Sequence, residues 1–230
     1  MAAFFESSVF AGVFATLAAY FIGLKIKQKT GLSLLNPLLV AIILMMGFIC
    51  ALGVPYSVYS AGTKLISSLL TPATICLAVP LYEQFALLKK HPFAILAGIS
   101  SGVATSLLCV FALSLLFGLD HASYVTLLPK SITTAIGMSV SQELGGYVSI
   151  TVAVILMTGI LGNMIAQTVC RVFRITEPIA KGIAIGTSSH AIGTSKAMEI
   201  GQIEGAMSSL SIVVSGILTV AGASLFSGLI

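Results

Sequence analysis

Six stretches of this chain, residues 7–24, 31–63, 65–82, 91–119, 144–170 and 205–230, contain no Asp, Glu, Lys or Arg, and the shortest is 18 residues long. A helix rises about 1.5 Å per residue and the hydrocarbon of a bilayer is about 30 Å thick, so each stretch can hold one membrane crossing. The apolar runs are continuous rather than alternating, which excludes a transmembrane β-barrel. Charged residues make up only 8% of the 230 positions. A soluble domain carries about 25%, so soluble, disordered and nucleic-acid-binding classes fall together. Met1-Ala2-Ala3-Phe4-Phe5-Glu6 lacks the basic start of a signal peptide, and the first helix is expected to be retained as an anchor.

Two further segments, 121–142 and 178–199, are rich in Gly, Ser and Thr and carry Lys130, Lys181 and Lys196. The basic residues decide how to read them. Lys25, Lys27 and Lys29 follow the first apolar stretch, Lys89 and Lys90 follow the third, and Arg171, Arg174 and Lys181 follow residues 144–170. If all three clusters face the cytoplasm, an even number of crossings separates them. That makes 121–142 a hairpin entered from outside and 178–199 a hairpin entered from the cytoplasm. Both termini then lie outside. The expected architecture is an all-α integral membrane protein with about six transmembrane helices and two re-entrant or broken helical hairpins. Eight full spans is the alternative, and it places Arg171 and Arg174 on the wrong side.

An internal match links the two segments. Ala135-Ile136-Gly137-Met138-Ser139 with Glu143 aligns with Ala191-Ile192-Gly193-Thr194-Ser195 with Glu199, 56 residues on. Each copy precedes a long apolar stretch, so each unit is one hairpin plus one crossing, and a single crossing inverts the second unit relative to the first. Inverted repeats of this kind build transporter sites near the bilayer midplane from broken helices. Residues 1–120 are accordingly expected to supply four spans of scaffold and part of the site. Residues 121–230 form the inverted repeat, with units 121–172 and 178–230.

Irregular backbone survives in hydrocarbon only where it lines a polar cavity or is covered by protein. Leu128-Pro129-Lys130-Ser131-Ile132-Thr133-Thr134 and Gly186-Thr187-Ser188-Ser189-His190-Ala191-Ile192-Gly193-Thr194 have the composition of such breaks. Helix N-termini there suit a small anion. Lys130 reads as a substrate or gating charge, or as a solvated residue if its segment is a plain loop; at the membrane centre a Lys costs about 2.5–3.5 kcal/mol. His190 reads either as a substrate or proton group or as a histidine bonded within a turn. The candidate substrate-binding set is Lys130, Ser131, Thr133, Thr134, Ser188, Ser189, His190, Thr194 and Asn36, although hydroxyls also satisfy the backbone of ordinary membrane helices. Asn36-Pro37 is at the least a capped helix start. Pro72 and Pro80, eight residues apart, predict a kinked or unwound helix. Tyr82 and Glu83 close a gate or mark a helix end.

Cys50, Cys76, Cys109 and Cys170 are isolated in apolar runs and read as packing residues. There is no His-Glu-x-x-His and no phosphate loop, so no metal, cofactor or enzymatic activity is expected. Ser188 with His190, or Lys130 with Ser131, is too close along the chain to serve as a hydrolase pair.

At Asn36-Pro37-Leu38-Leu39-Val40-Ala41, Pro80-Leu81-Tyr82-Glu83-Gln84 and the two hairpin motifs, the chain resembles the LrgB/CidB family; Ala135 and Ser188 stand where that family's pattern leads us to expect Pro and Ala. The resemblance implies a bacterial cytoplasmic-membrane protein, usually encoded beside a small LrgA/CidA-type membrane partner. It implies two possible activities. One is transport of small carboxylates such as pyruvate, or glycolate and glycerate in plastid relatives; the other is holin/antiholin-like control of murein hydrolases and autolysis. Paired polar hairpins favour transport of small monocarboxylates, with the regulatory role as the alternative. The expected partners are the lipid bilayer, a small carboxylate, the LrgA/CidA-type protein and possible further copies of the chain.

Overall fold

The computed structural model describes residues 10–31, 35–76 and 78–230, and among them every regular element is helical. The stretch Met1–Glu6, read above as the start of a retained anchor, lies outside the described residues. The chain divides into two compact units, Met1–Cys76 and Leu77–Ile230.

In the first unit, α1 (Ala11–Thr30) and α2 (Pro37–Leu52) are followed by three short helices, α3 (Tyr56–Gly62), α4 (Lys64–Ser68) and α5 (Leu70–Cys76). Helix α1 stops at Gly31, whose φ of 64° gives the left-handed cap, and Lys27 and Lys29 in its last turn complement the helix dipole. Helices α1 and α2 lie antiparallel along Ala19, Ala41 and Met45. At Gly23 they approach so closely that a Cβ would sit 2.6 Å from the carbonyl oxygen of Pro37. The 31–63 stretch is not one continuous helix: α2 is 16 residues, about 24 Å, and ends at Gly53 with φ 61°. Within the 65–82 stretch the described backbone is interrupted at Leu69, three residues before Pro72, and Pro80 lies inside α6 (Ala78–Glu83).

The second unit begins with α6 (Ala78–Glu83) and α7 (Phe85–Lys90) and contains α8 (Pro92–Phe117), α9 (His121–Leu127), α10 (Thr134–Glu143), α11 (Val148–Val172), α12 (Pro178–Ile200) and α13 (Gln202–Phe226), closed by a 3-10 turn at Ser227–Leu229. Among the described residues, three helices are long and apolar enough to cross a membrane: Pro92–Phe117, Val148–Val172 and Gln202–Leu229. Their polarity is that of a protein in lipid. On α13, Ser208, Ser211, Ser215 and Thr219 are buried, while Val213 and Ile217 face outward. Hydrocarbon solvates the apolar side, and small hydroxylated residues let helix backbones approach.

One stripe of α8, Ile95, Ile99, Val103, Leu107 and Val110, packs on Tyr124, Val125, Leu128, Ile183, Met207 and Ala223 to form the core. The helix directions follow from contacts. Gly98 and Gly102 of α8 face Ile183 and Thr187, whereas Gly159 and Gly162 of α11 face His190 and Ser189. Helices α8 and α13 thus run one way and α11 the other. Lys89, Lys90, Arg171, Arg174 and Lys181 therefore gather at one end of this unit, called the basic end below. Cys50, Cys76 and Cys109 are exposed on helix faces and only Cys170 is buried, so packing describes one cysteine of the four.

Candidate functional site

Both polar segments fold back on themselves. In the first, α9 is capped by Asp120, whose carboxylate accepts from Ser123 N, and the helix gives way at Leu128 to non-helical backbone that lasts until Thr133 caps α10. Both arms are tied to the start of α11. The amide of Tyr147 donates to Thr126 Oγ1 at 2.7 Å, and Thr151 Oγ1 lies 3.0 Å from Thr126 O and 2.7 Å from Ser141 Oγ. At the turn, Lys130 Nζ donates to Ser131 Oγ (3.0 Å), which in turn pairs with Ser106 Oγ (3.1 Å), close to the middle of α8.

In the second segment the break is a single residue. His190 has φ 42° and ψ −142°, a sparsely populated conformation for a residue with a side chain, costing about 1–3 kcal/mol. The arm before it runs alongside α13, where Gly182 faces Glu204 and Gly186 faces Ser208 and Ser211. The arm after it returns along the same helix, with Thr194 Oγ1 2.7 Å from Ser208 Oγ and Gly205 against Met198. Glu143 ends α10 and Glu199 lies one residue before the end of α12, where Lys196 pairs with it at 2.8 Å.

The tip of this second hairpin is seated in α11. A Cβ on Gly159 would stand 2.6 Å from His190 Cε1, and one on Gly162 would overlap Ser189. His190 Nε2 donates to Ile155 O at 3.0 Å, and Asn163 Nδ2 donates to Ile192 O (2.9 Å) and Ser195 Oγ (3.1 Å). Asn163 thereby ties α11 to the arm after the break, sharing the Ile192 carbonyl with Ser195 Oγ.

Between these tips lies a cavity of about 430 Å³. Its inner end is lined by Lys130, Thr158, Ser188 and Ser189; its walls continue through Leu161, Ile165 and Val169 to Ile175 at the basic end. Among the described residues Lys130 has no carboxylate partner. The cavity thus presents a mid-depth ammonium and hydroxyls at one end and apolar surface, open along Leu161 and Ile165, over its length. That arrangement can accept one negative charge with a short apolar tail.

Of the expected residues, Lys130, Ser188 and Ser189 line the cavity. Ser131 is buried behind Lys130, bonded to Ser106, so its hydroxyl is not presented as a nucleophile. Thr133 and Thr134 start α10, away from the lining. His190 is 3% exposed and committed to Ile155 O, and Thr194 donates to His190 O at 2.9 Å; both hold the hairpin's shape. Asn36 belongs to the first unit, where its side chain accepts from Leu38 N at 2.8 Å and caps α2. Thr158, Gly159, Gly162 and Asn163 escaped sequence reasoning. Their signal is a Gly-x-x-Gly-Asn run inside an apolar stretch, a notch with a polar group beside it. No three His, Cys, Asp or Glu side chains among the described residues come together as a metal would need.

The LrgB-like family model matches residues 16–229. Proteins of Bacillus cereus and Bacillus anthracis, both called antiholin-like protein LrgB, are 38% identical over 210 residues, which is 91% of this chain and 91% of each of theirs. No solved structure matches the chain.

Proposed function

Because the chain belongs to the LrgB-like family and is a multi-pass membrane protein, we propose that it is a secondary transporter, or the transport subunit of a two-component system, for small monocarboxylates of pyruvate or glycolate size. One observation carries this reading: Lys130, without a carboxylate partner among the described residues, lines a cavity between two broken helices. An isolated ammonium at that depth is expensive and is expected to serve an anion. Ser188 and Ser189 supply hydroxyls from the facing hairpin, and Thr158 supplies one from α11. The reading involves no enzymatic step.

The wider proposal keeps about six crossings of the cytoplasmic membrane, with the basic end inside and both termini outside. Residues 121–172 and 178–230 form an inverted repeat behind an N-terminal part, residues 1–120. Two pairs of contacts support the repeat. Ile136 and Ile192, 56 residues apart, pack on Gly216 and Gly159, which lie one residue off that register, and Ser131 and Thr187, also 56 apart, meet α8 one turn apart, at Ser106 and Gly102. A small LrgA/CidA-type membrane protein is the proposed partner.

The second reading is an antiholin-like regulator of murein hydrolases, and the name carried by the relatives favours it over transport. The two meet if altered carboxylate flux changes membrane energetics and hence autolysis. Labelled pyruvate, glycolate and lactate uptake into proteoliposomes, with and without the small partner, separates them. Uptake abolished by Lys130→Ala supports transport. No uptake in either preparation, together with unchanged autolysis in Lys130→Ala cells and changed autolysis in deletion cells, assigns the regulatory role.

A further inference from the structure

The two hairpins differ at one position in a way that sets which end of the site is open. In the 56-residue register, Tyr124 of the first hairpin corresponds to Ala180 of the second. Tyr124 is 0% exposed. Its hydroxyl donates to Phe226 O at 3.0 Å, its ring lies 6.2 Å from Phe111, and Phe111 meets Phe226 edge-on at 6.3 Å. These three rings fill the crevice between α8, the first hairpin and the end of α13. At the basic end Ala180 stands instead beside a cavity of about 530 Å³, lined from α8 by Ala94 and Gly98 with His91 and Glu177 at the helix ends next to it. The cavity that reaches Lys130 leads to the same end, past Val169 to Ile175.

We propose that the Tyr124–Phe111–Phe226 cluster is the gate that seals the site from the end opposite the basic residues, and that the structure is the state open to the basic end. The inference rests on the transport reading for its purpose and on packing for its existence. Alternating access then requires this cluster to part while the crevice beside Ala180 closes. Aromatic side chains suit a reversible seal, because tilted and edge-on ring contacts are individually weak and can be remade after the rings part.

The test uses the full chain with Cys50, Cys76, Cys109 and Cys170 replaced by Ala and Thr158→Cys added beside Lys130. A membrane-impermeant maleimide is applied to either face of oriented vesicles. With Tyr124 intact, labelling is expected from the basic face only. Tyr124→Ala is expected to raise labelling from the opposite face about tenfold, corresponding to about 1.4 kcal/mol of gate stabilisation. Phe226→Ala, which leaves the hairpin itself untouched, decides the matter if Tyr124→Ala does not fold, and is expected to act in the same direction. Equal labelling from both faces with Tyr124 intact, or no rise in a folded variant, overturns the gate. If the gate behaves as expected but pyruvate, glycolate and lactate neither protect Thr158→Cys nor enter, the gate stands and the carboxylate reading falls.

Discussion

The two hairpins share a sequence signature and are held by opposite means. The first is fastened at its base by hydroxyls, Thr126, Ser141 and Thr151, and leaves its turn to carry Lys130. The second is fastened at its tip, where His190 and Ser189 enter a glycine notch on α11, and along its first arm, where Gly182 and Gly186 bring two backbones together. In the 56-residue register, Thr126, Ser141 and Thr151 correspond to Gly182, Ala197 and Met207, and Lys130 corresponds to Gly186. Hydrogen bonds at a helix base can exchange for water or substrate without opening a packed interface. Contacts made through glycine cannot loosen without creating a void. Under the proposed transport reading, the first hairpin is the one free to move and the second the wall it works against.

Lys130 tests the division most severely. Lys130→Ala is expected to lower carboxylate uptake by at least about 30-fold, since removing one partner of a buried charge pair costs about 2–5 kcal/mol. Its thermal stability should be nearly unchanged, because the ammonium makes one hydrogen bond to Ser131. Next come two glycines. Gly162→Ala places a Cβ into Ser189, and overpacking of this kind costs about 1–3 kcal/mol, read as a lower Tm in detergent. Gly216→Ala meets only the flexible Cδ1 of Ile136 at 3.3 Å, and the gain in helix propensity offsets that contact to within about 0.5 kcal/mol. Equal losses at both glycines would erase the distinction between a tip-held and a base-held hairpin.

The charge-free stretches foretell a helical membrane protein, and the basic clusters foretell that 121–142 turns back rather than crosses. Both rest on free energies of transfer, which depend on composition alone. The breaks at Gly53 and Leu69 show that a stretch long enough to cross need not be one helix. Lys130, Ser188 and Ser189 are legible because polar groups in an apolar setting need a cavity. The place of His190 is not legible, since a ring bonded to Ile155 O and a ring facing substrate come from the same letters. Asn163 is hidden for another reason: it lies about 30 residues before the arm it holds, and nothing local marks it as a partner of Ile192.

Asn163 and Thr151 give the finer measurements of the same contrast. Asn163→Leu removes both bonds to the returning arm of the second hairpin. Hydrogen bonds between membrane helices average about 0.6 kcal/mol and reach about 1.7, so a loss near the upper figure is expected, with uptake falling as the Ser189 wall shifts. Thr151→Val is the smallest change, deleting one hydroxyl from the base of the first hairpin while keeping its volume. A loss of about 0.6–1.2 kcal/mol, read as a lower unfolding Tm, is expected for two bonds that average about 0.6 kcal/mol each. Its effect on exchange is the sharper readout. If the base is a hinge, loosening it raises amide hydrogen exchange across residues 121–147 and leaves 178–200 protected, because the second hairpin owes nothing to that hydroxyl. A parallel rise in both segments would mean that the two hairpins open as one body, and the division of labour between them would not hold.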